Sequence, residues 1–294
     1  MIEIPAGFRA MPRWWSDGSA WLDTLPASIE RWCERWSLVP DGAPRYGSNA
    51  LVLPVRREGE ALALRLTPAG PEVDATIAAL EFWAGRGTVE LIASDPAGGV
   101  MLLERLDADR SLASRSPEEA LPELGRTMRR LAVRAPANAP DTGEMLRLEA
   151  AGWTERWREL GAPLPGRDLD HVLAEIEPLF VPAVPELAVD GDLHAEQVLG
   201  GTRQPWLVVD PVLLRGDLGY DTGRLLWTRL DELGTDVDLR RWVRVIADAA
   251  GLDHDRTRRW VLARSLSYYL WGLERGLTDD PPRCRRLLAV FVRS

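Results

Sequence analysis

The spacing of apolar residues along this chain predicts strands in its first third and helices in much of the remainder. Ile29, Trp32 and Trp36 recur at helical spacing, which predicts an amphipathic helix over 27–37. Further on, apolar runs bounded by turn residues predict four strands, with one helix among them. The strands are predicted at 51–55, 61–66, 89–92 and 100–104, and the helix at 72–83.

From residue 116 onward, helical patterns dominate the chain. Leu121, Leu124 and Met128 form one apolar stripe, and the proline-rich segment at 134–140 ends it. Further helices are predicted at 143–160, 168–180, 221–232, 238–250, 255–275 and 281–292.

One stretch inside the helical part, residues 187–224, carries acidic residues next to a strand pattern. Apolar residues lead into Asp190 and Asp192, and a Gly-Gly turn separates them from an apolar run at 206–209, which ends at Asp210. The pattern predicts a strand, an acidic loop, a strand, a turn, and a strand with an acidic tip. A carboxylate that rigid backbone holds at a strand end is suited to catalysis.

The order Asp192, Gln197, Asp210 indicates phosphoryl transfer. Kinases use an Asp that accepts the hydroxyl proton, an amide side chain on a metal, and a second Asp on Mg²⁺. Mg²⁺ favours oxygen ligands, commonly one or two carboxylates completed by phosphates and water. The same residues also fit a solvated turn between surface strands, where Asp is favoured for its turn propensity. The spacing alone leaves both interpretations open.

Composition excludes some classes of protein. The 294 residues suit one large or two modest domains, and no apolar run approaches the length of a membrane span. The N-terminal residues lack a signal pattern and two cysteines give no disulfide framework, so we expect a cytoplasmic protein. A net charge of −9 argues against nucleic-acid binding and is compatible with a cationic substrate. All 36 basic residues are arginines, so no lysine is available to bind phosphate.

Seven segments of the chain, in the same order, resemble the aminoglycoside phosphotransferases, and most closely their streptomycin 6-kinase and hydroxyurea phosphotransferase branch. They lie between about Ser28 and Leu288 and read LVLPVRREGEALALRL, EFWAGRGTVELI, VMLLERLDADRSLAS, GDLHAEQVL, PWLVVDP, GDLGYDTGRLL and LARSLSYYLWGLERGL. The resemblance implies a protein-kinase-like, two-lobed α+β fold. A small antiparallel-sheet lobe that binds the nucleotide is expected at 1–106, and a mostly helical lobe for catalysis and substrate at 107–294.

The resemblance also implies that the first lobe binds ATP or GTP. Arg65 stands where the family has its phosphate-binding lysine, and Glu72 is the acid expected to pair with it. Ser48 lies in the turn expected to cover the phosphates, and Glu104 and Leu106 lie in the segment expected to receive adenine through backbone groups. Two plainer interpretations stay open: an ordinary hairpin loop at Ser48, and a solvent-exposed strand-edge residue at Arg65.

In the second lobe, the resemblance makes Asp192 the catalytic base and Gln197 and Asp210 the Mg²⁺ ligands. The chain departs from the family at Asp190, where the family has His, and at Gln197, where it has Asn, just as Arg65 replaces Lys. Two hypotheses remain. The first is an ATP-dependent kinase that phosphorylates a hydroxyl of a small molecule. The second is a catalytically weak relative that binds a nucleotide or small molecule without efficient transfer.

The substrate that the resemblance implies is a small cationic aminocyclitol such as streptomycin, or hydroxyurea. The acids expected to bind a cation are Asp190 and Glu196 beside the base, and Glu274 near the C-terminus; a solvated acidic rim is the alternative. A carboxylate two residues from the base raises the pKa of both groups unless a cation compensates, and we expect the substrate to supply that cation. Asp217 and Asp221 are expected to brace the loop, with helix N-capping by Asp221 as the alternative.

Overall fold

The computed structural model describes residues 2–11, 18–181 and 186–293. The chain forms two compact units: Met1–Ala108 with Gly200–Val209, and Asp109–Leu199 with Asp210–Ser294. The sequence-based assignment of all of 107–294 to one lobe is wrong for Gly200–Val209. That segment joins the first unit because its backbone is hydrogen-bonded there. The Val208 N–H donates to the Gly87 carbonyl (3.0 Å), and the Val89 N–H donates to the Val208 carbonyl (2.8 Å).

In the described part of the first unit, six strands form one antiparallel sheet. They are β1 Val39–Pro40, β2 Arg45–Tyr46, β3 Leu51–Arg57, β4 Glu60–Leu66, β5 Leu91–Asp95 and β6 Val100–Glu104. Their order is β1-β3-β4-β6-β5, with β2 paired to β3. A two-residue turn joins β3 to β4, and both of its residues, Glu58 and Gly59, have the positive φ that a tight hairpin requires. The strand predicted at 89–92 begins instead at Leu91.

Helices cover both faces of this sheet. After the short helix α1 (Ala6–Arg9), the long helix α2 (Ser19–Arg35) packs on one face and α3 (Pro71–Trp83) on the other. Each face of the sheet is covered by its own buried cluster of apolar residues. Side chains of β6 enter the two clusters alternately, because successive side chains of a strand point to opposite faces. Val100 and Leu102 share one buried cluster with α2 residues, and Met101 and Leu103 share the other with α3 residues. Each fully buried Leu, Val or Met side chain contributes roughly 1.5–3 kcal/mol.

The second unit is mostly helical. Its helices are α4 Pro117–Leu131, α5 Thr142–Glu159, α6 Gly166–Ile176, α7 Thr222–Trp227, α8 Asp236–Ala250, α9 His254–Glu274 and α10 Asp280–Phe291. The central helix is α9, which packs against α5, α6, α7, α8 and α10. The helix predicted at 221–232 ends at Trp227, and a separate single turn covers Leu230–Glu232. Among the described residues, no helix is both long enough and apolar enough to cross a bilayer.

A small antiparallel ladder positions the acidic stretch in the second unit. Strand β8 (Leu187–Asp190) pairs with β11 (Leu213–Gly216), and Asp190 lies opposite Leu213. The remaining strands are β7 Asp107–Ser111, β9 Val198–Gly200 and β10 Trp206–Val208. The predicted order of strand, acidic loop, strand, turn and strand along residues 187–210 is therefore confirmed.

Candidate active site

The loop that follows β8 has little space at its first position. A side-chain Cβ at Gly191 would lie 2.4 Å from Leu214 Cδ1 and 2.8 Å from Leu214 Cγ, so the buried Leu214 side chain would have to move. The Gly191 N–H also donates to the Val212 carbonyl at 2.9 Å, so the ladder continues past the strand end. On the other side of the loop, Leu193 and Ala195 are buried. The backbone on either side of Asp192 is thereby held in place.

Asp190 is buried and binds backbone. Only 2% of the residue is exposed, and its Oδ1 accepts hydrogen bonds from the Val212 N–H (2.9 Å) and the Asp192 N–H (3.3 Å). Burial, opposed by the Val212 hydrogen bond and reinforced by the charges of Asp192 and Asp210, raises the pKa of Asp190 to about 7. The alternative of a solvated acidic rim is therefore wrong for Asp190, because its side chain is buried and joins two loop segments.

Both carboxylate oxygens of Asp192 have a partner. The Gln197 Nε2 donates to Oδ2 at 3.0 Å, and the Arg224 Nε lies 2.9 Å from Oδ1. The Asp192 side chain is nevertheless 37% exposed, so solvent reaches it. Burial raises the pKa of Asp192, whereas the Arg224 charge and the Gln197 hydrogen bond lower it. The positive charge that was expected to come from a cationic substrate is thus supplied by Arg224 of the chain itself.

The other polar side chains of the loop have distinct environments. Asp210, two residues beyond β10, is partly buried and close enough to raise the pKa of both Asp190 and Asp192. Burial, and then the Arg224 charge, lower the pKa of His194 to about 3, so this imidazole is neutral near pH 7. Its Nδ1 lies 3.9 Å from Glu196, but a neutral ring forms no ion pair there.

Asp217 and Asp221, the two residues expected to brace the loop, have different environments. Asp217 accepts a hydrogen bond from the Gly219 N–H (2.8 Å) and binds the Arg256 guanidinium. Asp221 is buried and makes no side-chain capping bond at the start of α7, so the N-cap interpretation is wrong. Burial raises the pKa of Asp221 well above its ordinary value, and the charge of Asp190 adds to this effect.

In the first unit, Arg65 lies in β4, between β3 and β6, opposite Val52 and Met101. Only 6% of the residue is exposed, so the interpretation as a solvent-exposed strand-edge arginine is wrong. Glu72 lies in the first turn of α3 and is exposed.

The other predicted nucleotide residues also lie at strand ends. Ser48 is in the turn between β2 and β3, where the Gly47 N–H donates to the Ala50 carbonyl at 3.0 Å. Glu104 is the last residue of β6; its N–H donates to the Glu90 carbonyl (2.9 Å), and its carboxylate accepts from Arg203 Nη2 (2.9 Å). Leu106 packs against the core that α3 covers.

Comparisons with known proteins agree with these features. A family model, aminoglycoside/hydroxyurea antibiotic resistance kinase, matches residues 35–276. Streptomycin 6-kinase from Streptomyces glaucescens is 34% identical over 285 residues, which cover 94% of this chain and 92% of that protein. The chain belongs to the aminoglycoside/hydroxyurea antibiotic resistance kinase family. Hydroxyurea phosphotransferase from Kitasatospora aureofaciens is 35% identical over 296 aligned positions, covering 96% of this chain and 84% of that protein.

Solved structures confirm the fold class for this kinase. The crystal structure of aminoglycoside phosphotransferase APH(4)-Ia superposes with a TM-score of 0.65 at 16% identity, covering 91% of this chain and 98% of that chain. A thermostable mutant of that enzyme, in ternary complex with AMP-PNP and hygromycin B, gives a TM-score of 0.62. The predicted protein-kinase-like α+β fold is therefore confirmed, and the family makes the chain a kinase that transfers phosphate to a hydroxyl group.

The donor set of the kinase loop fits Mg²⁺. Gln197 Oε1 is buried and accepts no hydrogen bond from the described residues, while the amide nitrogen of the same side chain is bound to Asp192. An amide oxygen left in this way suits a hard cation, and the Asp210 carboxylate lies close enough to Asp192 to affect its pKa. Within the described ranges, no three His, Cys, Asp or Glu side chains group into a metal site. Such a cage is not needed for Mg²⁺, which commonly takes only one or two carboxylates from the protein.

Sequence reasoning missed two basic residues of the site. Arg224 lies in the segment GDLGYDTGR, which was noted only for its aspartates, and Arg264 lies on α9 with its guanidinium 4.0 Å above the Tyr220 ring. Both lower the pKa of Asp192. Of the predicted substrate acids, Glu196 is exposed in the loop itself, whereas Glu274 lies 3.6 Å from Arg156. Contact of these two acids with a substrate stays a prediction.

Proposed function

We propose that this kinase transfers the γ-phosphate of ATP, with Mg²⁺, to a hydroxyl of a small molecule of the aminocyclitol-antibiotic or hydroxyurea kind. The observation that carries the proposal is the geometry of Asp192. It is a partly exposed carboxylate whose two oxygens are bound by Gln197 and Arg224. The activities named for relatives at 34% and 35% identity support the same acceptor classes.

The side chains of the loop would have different roles in the transfer reaction. Asp192 accepts the proton of the acceptor hydroxyl, or orients that hydroxyl, through the lone pairs that Gln197 and Arg224 leave available. Gln197 would hold Asp192 with its amide nitrogen and Mg²⁺ with its amide oxygen, and Asp210 would provide a carboxylate ligand. Mg²⁺, when bound, neutralises charge on the transferred phosphate. Asp190 keeps the backbone of Asp192 and the segment after Asp210 in register.

The nucleotide would be bound by residues of the first unit. Arg65, almost buried in the middle of the sheet, would hold the phosphates in place of a lysine, with Glu72 as its acid. The turn at Ser48 would cover the phosphates, and backbone groups of Glu104 and Leu106 would receive adenine. Because the Glu104 N–H is already bonded to Glu90, its contribution would come from the carbonyl. The AMP-PNP complex of a structural neighbour supports an adenine nucleotide.

The contact between Arg224 and Asp192 changes what is expected of the substrate charge. Arg224 supplies the positive charge next to Asp192, so a cationic substrate is not required to stabilise the paired carboxylates. The remaining support for a cationic acceptor is the streptomycin 6-kinase relative, together with the exposed acids Glu196 and Glu274. A neutral acceptor such as hydroxyurea is equally compatible with the geometry of Asp192.

A transfer screen with γ-labelled ATP tests the proposal. Streptomycin, other aminoglycosides and hydroxyurea are offered with and without Mg²⁺, and label is followed into the acceptor. Mg²⁺-dependent labelling of at least one acceptor is expected. ATP binding by calorimetry without transfer to any acceptor would instead support the catalytically weak relative. Absence of both binding and transfer would contradict the proposed function altogether.

A further inference from the structure

Arg224 forms an ion pair with the proposed base. Its Nε lies 2.9 Å from Asp192 Oδ1, and its side chain is 18% exposed, against 37% for the Asp192 side chain. The residue belongs to α7, far from the catalytic loop in sequence. Ion pairs at a fully exposed surface contribute little to stability. This pair is partly shielded from water, and the attraction between two charges is stronger where less water surrounds them.

Two guanidinium groups lie near Asp192. The Arg224 Nε is 2.9 Å from Asp192 Oδ1, and Arg264 acts on the same carboxylate through its charge. Arg264 is directed over the Tyr220 ring, so Arg224 is the guanidinium in direct contact with the carboxylate.

The structure also holds Arg224 in place. The apolar residues that follow it in α7 are fully buried: Leu225, Leu226 and Trp227. Trp227 stacks on the ring of Tyr268, with centroids 4.8 Å apart, and the Tyr268 hydroxyl is close enough to Arg224 and Asp280 for both to shift its pKa. The guanidinium is therefore attached to a rigid element, which is what accurate positioning of a catalytic group requires.

We propose that Arg224 is a positioning residue for phosphate transfer. It holds Oδ1 of Asp192 while Gln197 holds Oδ2, so that the carboxylate keeps one orientation towards the acceptor hydroxyl. This inference rests on the proposed function. The contact is an ion pair through Nε, the nitrogen nearest the backbone in the planar guanidinium, and its N–H is not aligned for a hydrogen bond to Asp192. A lysine at this position would keep the charge but carry it at the end of a flexible stem, so it would restore only part of the effect.

The experiment compares turnover in Arg224→Gln, Arg224→Lys and Asp192→Asn. It includes the two double variants that combine each Arg224 substitution with Asp192→Asn. We expect Arg224→Gln to lower kcat by about 10²-fold, because a small misplacement of a catalytic group has an effect of that order. Nucleotide Kd should stay unchanged, and Arg224→Lys should recover part of the loss. In the Asp192→Asn background, Arg224→Gln should cause no further loss, because Arg224 acts through Asp192.

Arg286→Gln is the matched control. Arg286 is also an arginine of the second unit, and it pairs with Asp236 at 3.4 Å. Its replacement should leave kcat within about twofold, and its effect should add to that of Asp192→Asn. If Arg224→Gln fails to fold, the Lys variant is judged alone. A smaller loss of kcat than that expected for Arg224→Gln, at unchanged melting temperature and nucleotide Kd and absent in the Asp192→Asn background, is then expected.

Two results would overturn the inference while the proposed function stands. One is a wild-type protein that transfers phosphate and an Arg224→Gln variant with the same kcat. The other is a loss of kcat of the kind that a merely structural residue would give. Such a loss would add to the effect of Asp192→Asn, or it would be accompanied by weaker nucleotide binding and a lower melting temperature. A wild-type protein that transfers no phosphate to any acceptor overturns the proposed function, and the inference with it.

Discussion

Asp190 Oδ1 and the Val212 N–H form a hydrogen bond of 2.9 Å, and the same oxygen accepts the Asp192 N–H at 3.3 Å. One buried carboxylate thus ties the backbone of the proposed base to the segment that follows Asp210. The aspartate, which stands where the family resemblance implies a histidine, therefore has a structural explanation. It accepts two partly buried backbone N–H groups, and a hydrogen bond of this kind contributes roughly 0.5–1.5 kcal/mol.

Asp190→Asn should change how stability depends on pH. In the folded protein Asp190 holds its proton up to about pH 7, whereas its ordinary pKa is 3.8. Between these values the folded state binds more protons than the unfolded state, so the free energy of unfolding falls as pH rises. Asn keeps the acceptor oxygen but cannot ionise. Urea unfolding at several pH values should show a smaller fall for the variant than for the wild type.

The control for this measurement is Asp248→Asn, which alters an exposed carboxylate of α8 that pairs with His254. Its stability curve should follow the wild type between acidic and neutral pH. An Asp190→Asn protein with the wild-type slope would mean that Asp190 is ionised throughout this range, and the buried-proton argument would then be wrong.

Asp192→Asn should remove most turnover and leave nucleotide binding intact. A positioned base typically contributes about 10²–10⁴ in rate, and Asn can still accept a hydrogen bond but cannot take a proton. Steady-state kinetics give kcat, and calorimetry gives the nucleotide Kd in the same variant. Asp248→Asn again serves as the control and should keep full turnover. Unchanged kcat in Asp192→Asn would refute the assignment of the base.

Several of these features were predictable from the sequence, and others were not. The strand ends that carry Asp190 and Asp210 follow from apolar runs that stop at acidic residues, because local pattern determines local structure. The burial of Asp190 could not be predicted, because the local sequence pattern around an Asp in a loop is the same whether its side chain faces solvent or accepts a hydrogen bond from the Val212 N–H. Arg224 was missed for a similar reason. Its contact with Asp192 depends on the packing of α7, which no local spacing encodes.

Gln197→Asn should change the Mg²⁺ dependence of nucleotide affinity. The Gln197 nitrogen is bound to Asp192 at 3.0 Å, and its oxygen is buried without a hydrogen-bond partner among the described residues. A side chain one methylene shorter cannot keep both ends in place, and Mg²⁺ requires near-ideal geometry at roughly 2.0–2.1 Å. Nucleotide Kd measured across a Mg²⁺ titration checks this. If the titration curve is the same in both proteins, Gln197 is not a metal ligand.

Arg65→Met should weaken nucleotide binding with little loss of stability. Arg65 is buried in the central part of the sheet, and Met can fill the space of its aliphatic part without a charge. Removal of a charge-assisted phosphate contact should raise the Kd for ATP by about tenfold or more. Arg65→Lys should bind more tightly than the Met variant, because it restores the charge. Equal ATP affinity in the wild-type and Met proteins would exclude Arg65 as the phosphate ligand.

The last prediction concerns the charge of the acceptor. If exposed acids attract a cationic acceptor, its KM should rise with salt, because the screening length falls from about 10 Å at ~0.1 M to about 3 Å at ~1 M. Glu196 is the best candidate, since its side chain is 82% exposed and lies four residues from Asp192. Glu196→Gln should raise the KM for streptomycin at low salt and flatten its salt dependence.

Hydroxyurea and Asp190→Asn provide the two controls for that argument. A neutral acceptor should show a KM that salt hardly changes, in the wild type and in Glu196→Gln alike. Asp190→Asn should retain the wild-type salt dependence for streptomycin, because Asp190 is buried and bound to backbone rather than exposed to the acceptor. A KM for streptomycin that does not change with salt would show that Glu196 does not bind the acceptor. The same conclusion would follow from a salt dependence that Asp190→Asn removes while Glu196→Gln does not.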